Sequence, residues 1–127
     1  MIHFAGAKAV GERVEQPLKY YTNNVLGSIV LCQIMASMNV YKLVFSSSAT
    51  VYGDSREMPL REDSRSALPI NPYGRSKLMV EQMLFDLAHS DAQWSIAILR
   101  YFNPVGAHAS GLMGEHPTGT PNNLFPY

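Results

Sequence analysis

Lys42-Leu43-Val44-Phe45-Ser46-Ser47-Ser48-Ala49-Thr50 is the stretch whose reading decides the fold. Lys42–Ser46 is a short apolar run closed by a serine cluster, the pattern of a buried strand bounded by turn formers. Upstream, Leu18, Tyr21, Val25, Ile29, Cys32 and Met35–Ala36 recur at three- and four-residue steps. That spacing predicts a helix begun after Pro17, with Asn39 as its C-terminal stop. Earlier still, Met1-Ile2-His3-Phe4 reads as the inside of a buried strand, with Ile2–Phe4 its end and Ala5-Gly6 the stop; residues 7–16 read as a short helix or turn. Downstream, the charged, Pro-containing segment 54–71 reads as a loop. Asn71-Pro72 then opens a helix: Asn supplies an acceptor for orphan amides, and Pro needs no partner at the first turn. That helix is expected to run to about Ser90 and to bury Leu78, Met79, Met83, Leu84 and Leu87. Ser95–Leu99 is a third apolar run, read as another buried strand, and the Gly-, Pro- and Asn-rich segment 103–126 is irregular. Apolar strands alternating with helices predict an α/β fold built on a parallel sheet with crossovers.

The 127 residues are 46% apolar, enough for one domain with a core. Ten basic and ten acidic residues give zero formal charge, with no basic stripe or charged block. Neither nucleic acid nor a membrane surface is therefore an expected partner. No apolar run approaches the ~18–20 residues of a membrane span, and no signal peptide is recognisable. With Cys32 as the single cysteine, no internal disulfide can form and a reducing compartment is expected. Cys32 sits on the apolar helix stripe and reads as core. His108 and His116 have no standard ligand spacing, so no metal site is expected.

Open parallel sheets bind ligands outside the carboxyl ends of their strands. The three exits here read Ala5-Gly6-Ala7-Lys8, Ser46-Ser47-Ser48-Ala49-Thr50 and Arg100-Tyr101-Phe102-Asn103. Any one fits a simple turn; small or hydrogen-bonding residues at all three point to a site. The helix at Pro72 adds Tyr73 and Lys77, which share a face about 6 Å apart along the axis. Free tyrosine, with a pKa near 10, is a poor base; bringing it to about 7 needs roughly 4 kcal/mol of phenolate stabilisation. A neighbouring ammonium and a cationic ring could supply that, while a strand-end serine holds the same substrate oxygen. Taken alone, Tyr-x-x-x-Lys also fits an ordinary surface pair.

Ser46–Gly53, Tyr73-Gly74-Arg75-Ser76-Lys77 and Leu99–His108 together resemble the extended short-chain dehydrogenase/reductase family. His3-Phe4-Ala5-Gly6 and Pro121-Asn122-Asn123-Leu124 narrow the resemblance to UDP-galactose 4-epimerases, over essentially the whole chain. It implies part of a Rossmann-like, doubly wound NAD-binding domain over residues 1–102, with 103–127 an irregular segment leading to the substrate region. It implies Tyr73 as general base and acid, Lys77 as its partner and nicotinamide-ribose ligand, and Ser48 on the sugar O4 with Thr50 nearby. Phe4, Ala5, Gly6, Lys8, Asn23, Ser46, Ser47, Tyr101 and Phe102 would line the NAD site together with Tyr73 and Lys77. Asn103, Asn122, Asn123 and Leu124 would meet the UDP-sugar. The implied reaction interconverts UDP-galactose and UDP-glucose through transient C4 oxidation by tightly held NAD, in a cytoplasmic homodimer.

The chain departs from that family in lacking any G-x-G-x-x-G fingerprint, and both ends read as cut. By itself it is expected to be inactive and to bind NAD weakly. The same-fold rival is a sugar-nucleotide 4,6-dehydratase, which resemblance implies would carry an acidic pair after the strand-exit Thr; Ala49-Thr50-Val51 has none. The rival from another class is a non-catalytic nucleotide binder, disfavoured because both Tyr73 and Lys77 are present.

Overall fold

The computed structural model describes residues 1–8, 16–55, 58–64, 68–103, 105–106 and 108–113. Strand β1 (Ile2–His3) is followed by a helix in three registers: α1 (Pro17–Tyr20), a π-helical stretch (Tyr21–Leu26) and α2 (Gly27–Ser37). Next come β2 (Lys42–Ser48), a 3-10 turn (Ala49–Tyr52), α3 (Pro72–Ser90) and β3 (Ser95–Tyr101). The strands form one parallel sheet in the order β1-β2-β3. The expected strand-helix alternation and parallel sheet are therefore observed. Residues 9–15, most of the predicted short helix or turn, lie outside the described residues.

The local signals explain the element ends. Asn71 caps α3 by accepting Gly74 N–H at 2.8 Å, with Pro72 at the first helical position. Asn39 adopts a φ of 56°, Val40 N–H reaches back to the Met35 carbonyl and Asn39 N–H to that of Ala36. Those paired bonds close the helix as a Schellman motif, the role expected of an Asn at that point.

Two crossovers advancing in one direction along a parallel sheet place both helices on one face. The core lies there: Cys32 and Met35 of α2, Leu43 and Phe45 of β2, and Val80 and Leu84 of α3, closed by Trp94. This arrangement corrects several expectations. Ile2, Leu99 and Met1 are exposed, as is Phe4 beyond the strand, so β1 and β3 are not buried on both sides. Side chains alternate across the pleat, and no described helix covers the second face. Leu18 is 77% exposed and Met79 48% exposed, so neither joins the core. Both fall on the outer side of helices whose inner side already meets the sheet. β2 and β3 run two residues further than predicted, to Ser48 and Tyr101. Ladder pairing of Ser47 with Arg100 and Ser48 with Tyr101 carries the polar ends into the sheet. Among the described residues no helix is long and apolar enough to cross a membrane.

We expect Leu84→Ala to lower unfolding free energy in urea by about 2–5 kcal/mol and Leu18→Ala to change it by less than about 0.5 kcal/mol. Equal losses would contradict this placement of the core.

Candidate active site

The polar strand exits converge on the start of α3. The first contact is backbone on backbone. A Cβ at Gly74 would lie 2.9 Å from Pro69 Cβ, 3.1 Å from the Thr50 carbonyl oxygen and 3.3 Å from Thr50 Oγ1. Only glycine lets the helix sit this close to the turn after β2. Ser48 caps that turn: its Oγ accepts Thr50 N–H at 3.3 Å and the Thr50 hydroxyl at 3.0 Å. With both lone pairs so used, the Ser48 hydroxyl proton is available to a substrate oxygen.

Lys77 follows Tyr73 by one turn and is only 4% exposed. Its Nζ donates to the Ser46 carbonyl at 2.8 Å. It also lies 4.8 Å from the centre of the Phe45 ring and 5.8 Å from that of Tyr73. The loop after β1 crosses directly over it: a Cβ at Gly6 would stand 3.3 Å from Nζ. Burial lowers the Lys77 pKa to about 8. The ammonium is thus held inside the protein, beside a phenol, at the exit of the central strand.

A second cluster locks the β1 exit to the same helix. Asn24, 3% exposed in the π-helical stretch, uses all four hydrogen-bonding positions of its amide. Its Oδ1 accepts from Ala7 N–H at 2.8 Å and Asn23 Nδ2 at 3.0 Å; its Nδ2 donates to the Ala7 carbonyl at 3.2 Å and Ser76 Oγ at 3.1 Å. Ser76 in turn donates to the Tyr73 carbonyl at 2.8 Å. Ser28 donates its single proton to the Asn24 carbonyl at 2.6 Å, so the 3.0 Å contact with His3 requires the proton on His3 Nε2. Burial and then the Lys77 charge lower the His3 pKa, which favours this neutral ring. π-helical turns are frequent at functional sites, and the back-bonded Ser28 sits just past the end of this one.

Residues 1–127 match the NAD dependent epimerase/dehydratase family along their whole length. The chain belongs to that family. It is 61% identical to UDP-glucose 4-epimerase of Neisseria gonorrhoeae over 127 residues, all of this chain and 38% of the relative. Among solved structures, it resembles UDP-glucose 4-epimerase from Bifidobacterium longum in complex with NAD+ and UDP, at 55% identity and a TM-score of 0.91. That match covers 97% of this chain and 37% of the other. It also resembles the Stenotrophomonas maltophila UDP-glucose-4-epimerase with bound NAD and formylated UDP-arabinopyranose, at 55% identity and a TM-score of 0.92, covering 99% and 37%. The chain thus spans somewhat over a third of the length of the relatives it matches.

Within this epimerase/dehydratase fold the predicted residues divide into groups. Gly6, Ser46, Ser48, Thr50, Tyr73 and Lys77 are drawn together by the contacts above. Phe4 and Tyr101 lie 6.2 Å apart as exposed rings across two strand exits, and Phe102 stacks 6.4 Å from Tyr52. Ala5, Lys8, Asn23 and Asn103 are exposed near those exits. Ser47 stands apart: it is buried, and its hydroxyl donates to Glu81 on the helix side of the sheet. Asn122, Asn123 and Leu124 lie outside the described residues. Sequence reasoning missed Asn24 and Glu81, and gave no role to Ser76 and Arg100 within the stretches it singled out. Asn24 could have been found as a polar residue on the inner helix stripe between Tyr21 and Ser28. Glu81 could have been found as a carboxylate among the expected core positions of α3. Among the described residues no group of three His, Cys, Asp or Glu could hold a metal.

Lys77 should titrate near pH 8 by NMR of its Nζ; a value near the ordinary 10.5 would contradict its burial. Because the folded value is depressed, stability should rise with pH between about 8 and 10.5, and this increment should vanish in Lys77→Met.

Proposed function

We propose that the chain contributes the proton-transfer residues of an enzyme that interconverts UDP-galactose and UDP-glucose, using NAD held at the strand exits. The observation that carries this reading is the buried Lys77 ammonium, set between the Ser46 carbonyl and the Tyr73 ring at the exit that also presents Ser48. The curated relative at 61% identity supports the substrate class. NAD fits this wall on three counts. Gly6 leaves the β1 exit without a side chain over Lys77. Asn24 fixes both polar atoms of Ala7. Phe4 and Tyr101 offer exposed aromatic faces. Bound there, NAD supplies reversible hydride transfer at the sugar C4.

The protein's own groups handle the proton and the orientation. Tyr73 takes the O4 proton and returns it. The Lys77 charge favours the phenolate in that exchange. Ser48 donates its unused hydroxyl proton to O4 and holds the oxygen in line, with Thr50 keeping the serine rotamer fixed. Between Ser48 and Tyr52 there is no carboxylate to drive elimination, and Val51 and Tyr52 are buried. This favours epimerisation over dehydration.

The partner we propose is a second copy of the chain. Leu26, Val30, Ile34 and Met38 form an exposed apolar row at four-residue spacing along the outer side of the helix, and Met79 is exposed on α3. A reducing, cytoplasmic setting accords with the free, buried Cys32.

We expect Tyr73→Phe to lose at least about a thousandfold in turnover while UDP-sugar binding by calorimetry stays within a few-fold. Near-normal turnover would overturn the assignment of the base, and a 4-keto-6-deoxy product from the unmodified enzyme would overturn epimerisation. Ile34→Glu should convert a dimer to a monomer in sedimentation; a monomeric parent would contradict the proposed partner.

A further inference from the structure

Glu81 lies one helical turn beyond Lys77 and is 1% exposed. A buried carboxylate is costly unless its acceptor positions are filled. Here they are. Arg100 Nε reaches Oε1 at 3.1 Å and Oε2 at 3.3 Å, and Arg100 Nη2 reaches Oε2 at 2.8 Å. Ser47 adds its hydroxyl to Oε1. Hydrogen bonding to Glu81 is the chief reason that the Arg100 pKa is raised.

The pair does more than neutralise itself. Arg100 is the ladder partner of Ser47, so Glu81 joins α3 to β2 and β3 at one level of the sheet. The remaining guanidinium nitrogen, Nη1, donates to the Glu62 carbonyl at 3.2 Å. Arg100 Cζ also stands 4.8 Å from the centre of the Tyr52 ring. Tyr52 is the last residue of the turn that Ser48 caps and that holds Thr50 against Gly74. One guanidinium thus ties the catalytic helix, two strands, the 58–64 loop and the far end of the Ser48 turn. A lysine could not make all these contacts, because its donors all sit on one atom, whereas the guanidinium spreads five donors over three nitrogens and offers a flat face.

We infer that Glu81 and Arg100 are positioning residues that set the height of Tyr73 and Lys77 on α3 relative to Ser48 and Thr50. The inference rests on the epimerase reading above for its catalytic consequence. A pair that merely stabilises the fold could be exchanged for any arrangement of equal stability. A positioning pair could not, because reacting groups misplaced by about 1 Å can lose on the order of a hundredfold in rate.

The test uses Arg100→Lys, which keeps the charge and loses the fork, and the double variant Glu81→Leu/Arg100→Leu, which removes both charges together. Both are measured for turnover and for amide hydrogen exchange. We expect kcat to fall at least about tenfold in each, with KM within about twofold. The amides of residues 50–52 should exchange faster in each, while those of Leu43–Phe45 remain protected. Wild-type kcat in either folded variant, with unchanged exchange at 50–52, would overturn the positioning role. If the unmodified enzyme shows no epimerase turnover, the functional reading fails instead, and the exchange at 50–52 still decides whether the pair positions the turn. If Arg100→Lys does not fold, the double variant decides in the same way.

Discussion

A lysine ammonium almost wholly withdrawn from water is the constraint on which the rest of this structure depends. Moving the Lys77 pKa from 10.5 to about 8 corresponds to roughly 3 kcal/mol against the charged form. That strain is tolerated because the surroundings over-determine the side chain: a carbonyl from β2, an aromatic ring beneath, and a glycine loop across the top. The first two come from β2 and the third from the loop after β1. Keeping Lys77 in place therefore requires β1, β2 and α3 to be in register with one another. A group so held is also one that acts strongly on its neighbours, since a charge in a poorly solvated site is weakly screened.

The hydrogen bonding around α3 follows from this. Three polar rungs fasten one helix face to what lies beneath it: Ser76 to Asn24, Lys77 to the Ser46 carbonyl, and Glu81 to Ser47 and Arg100. Apolar packing of Val80 and Leu84 continues the same face toward Trp94. The polar rungs run from Ser76 to Glu81, on the side of the helix nearer the strand exits, and beyond Glu81 the face is apolar at Leu84. Specificity of placement is thus concentrated beside the strand exits, and apolar packing extends beyond it.

The sequence was readable where signals are local. Asn71-Pro72 announced the start of α3, Asn39 the end of the earlier helix, and Leu43 and Phe45 a central strand, because caps and periodicity act over a few residues. That Tyr73 and Lys77 share a helix face was legible from spacing, but their pairing stood out only together with the Ser48 strand exit and the helix start at Pro72. What was hidden depends on partners distant in sequence. Helical spacing places Glu81 on the inner face of α3, but its partners Ser47 and Arg100 come together only through the pairing of β2 with β3. Ser47 looked like its neighbours Ser46 and Ser48, yet strand alternation turns it to the opposite face. Met79 and Leu18 looked like core residues because helical spacing says which positions share a face, not which face meets the sheet. The π-helical turn at Tyr21–Leu26, which brings Asn24 to its hub, carried no recognisable composition.

The central claim is that Lys77 makes Tyr73 a usable proton acceptor next to Ser48. Its most direct test is the pH dependence of kcat for 4-epimerisation in the parent enzyme and in Lys77→Met. With the ammonium removed, the rising limb of the profile should move to higher pH and the rate near neutrality should fall. A profile that keeps its position in Lys77→Met would contradict the claim.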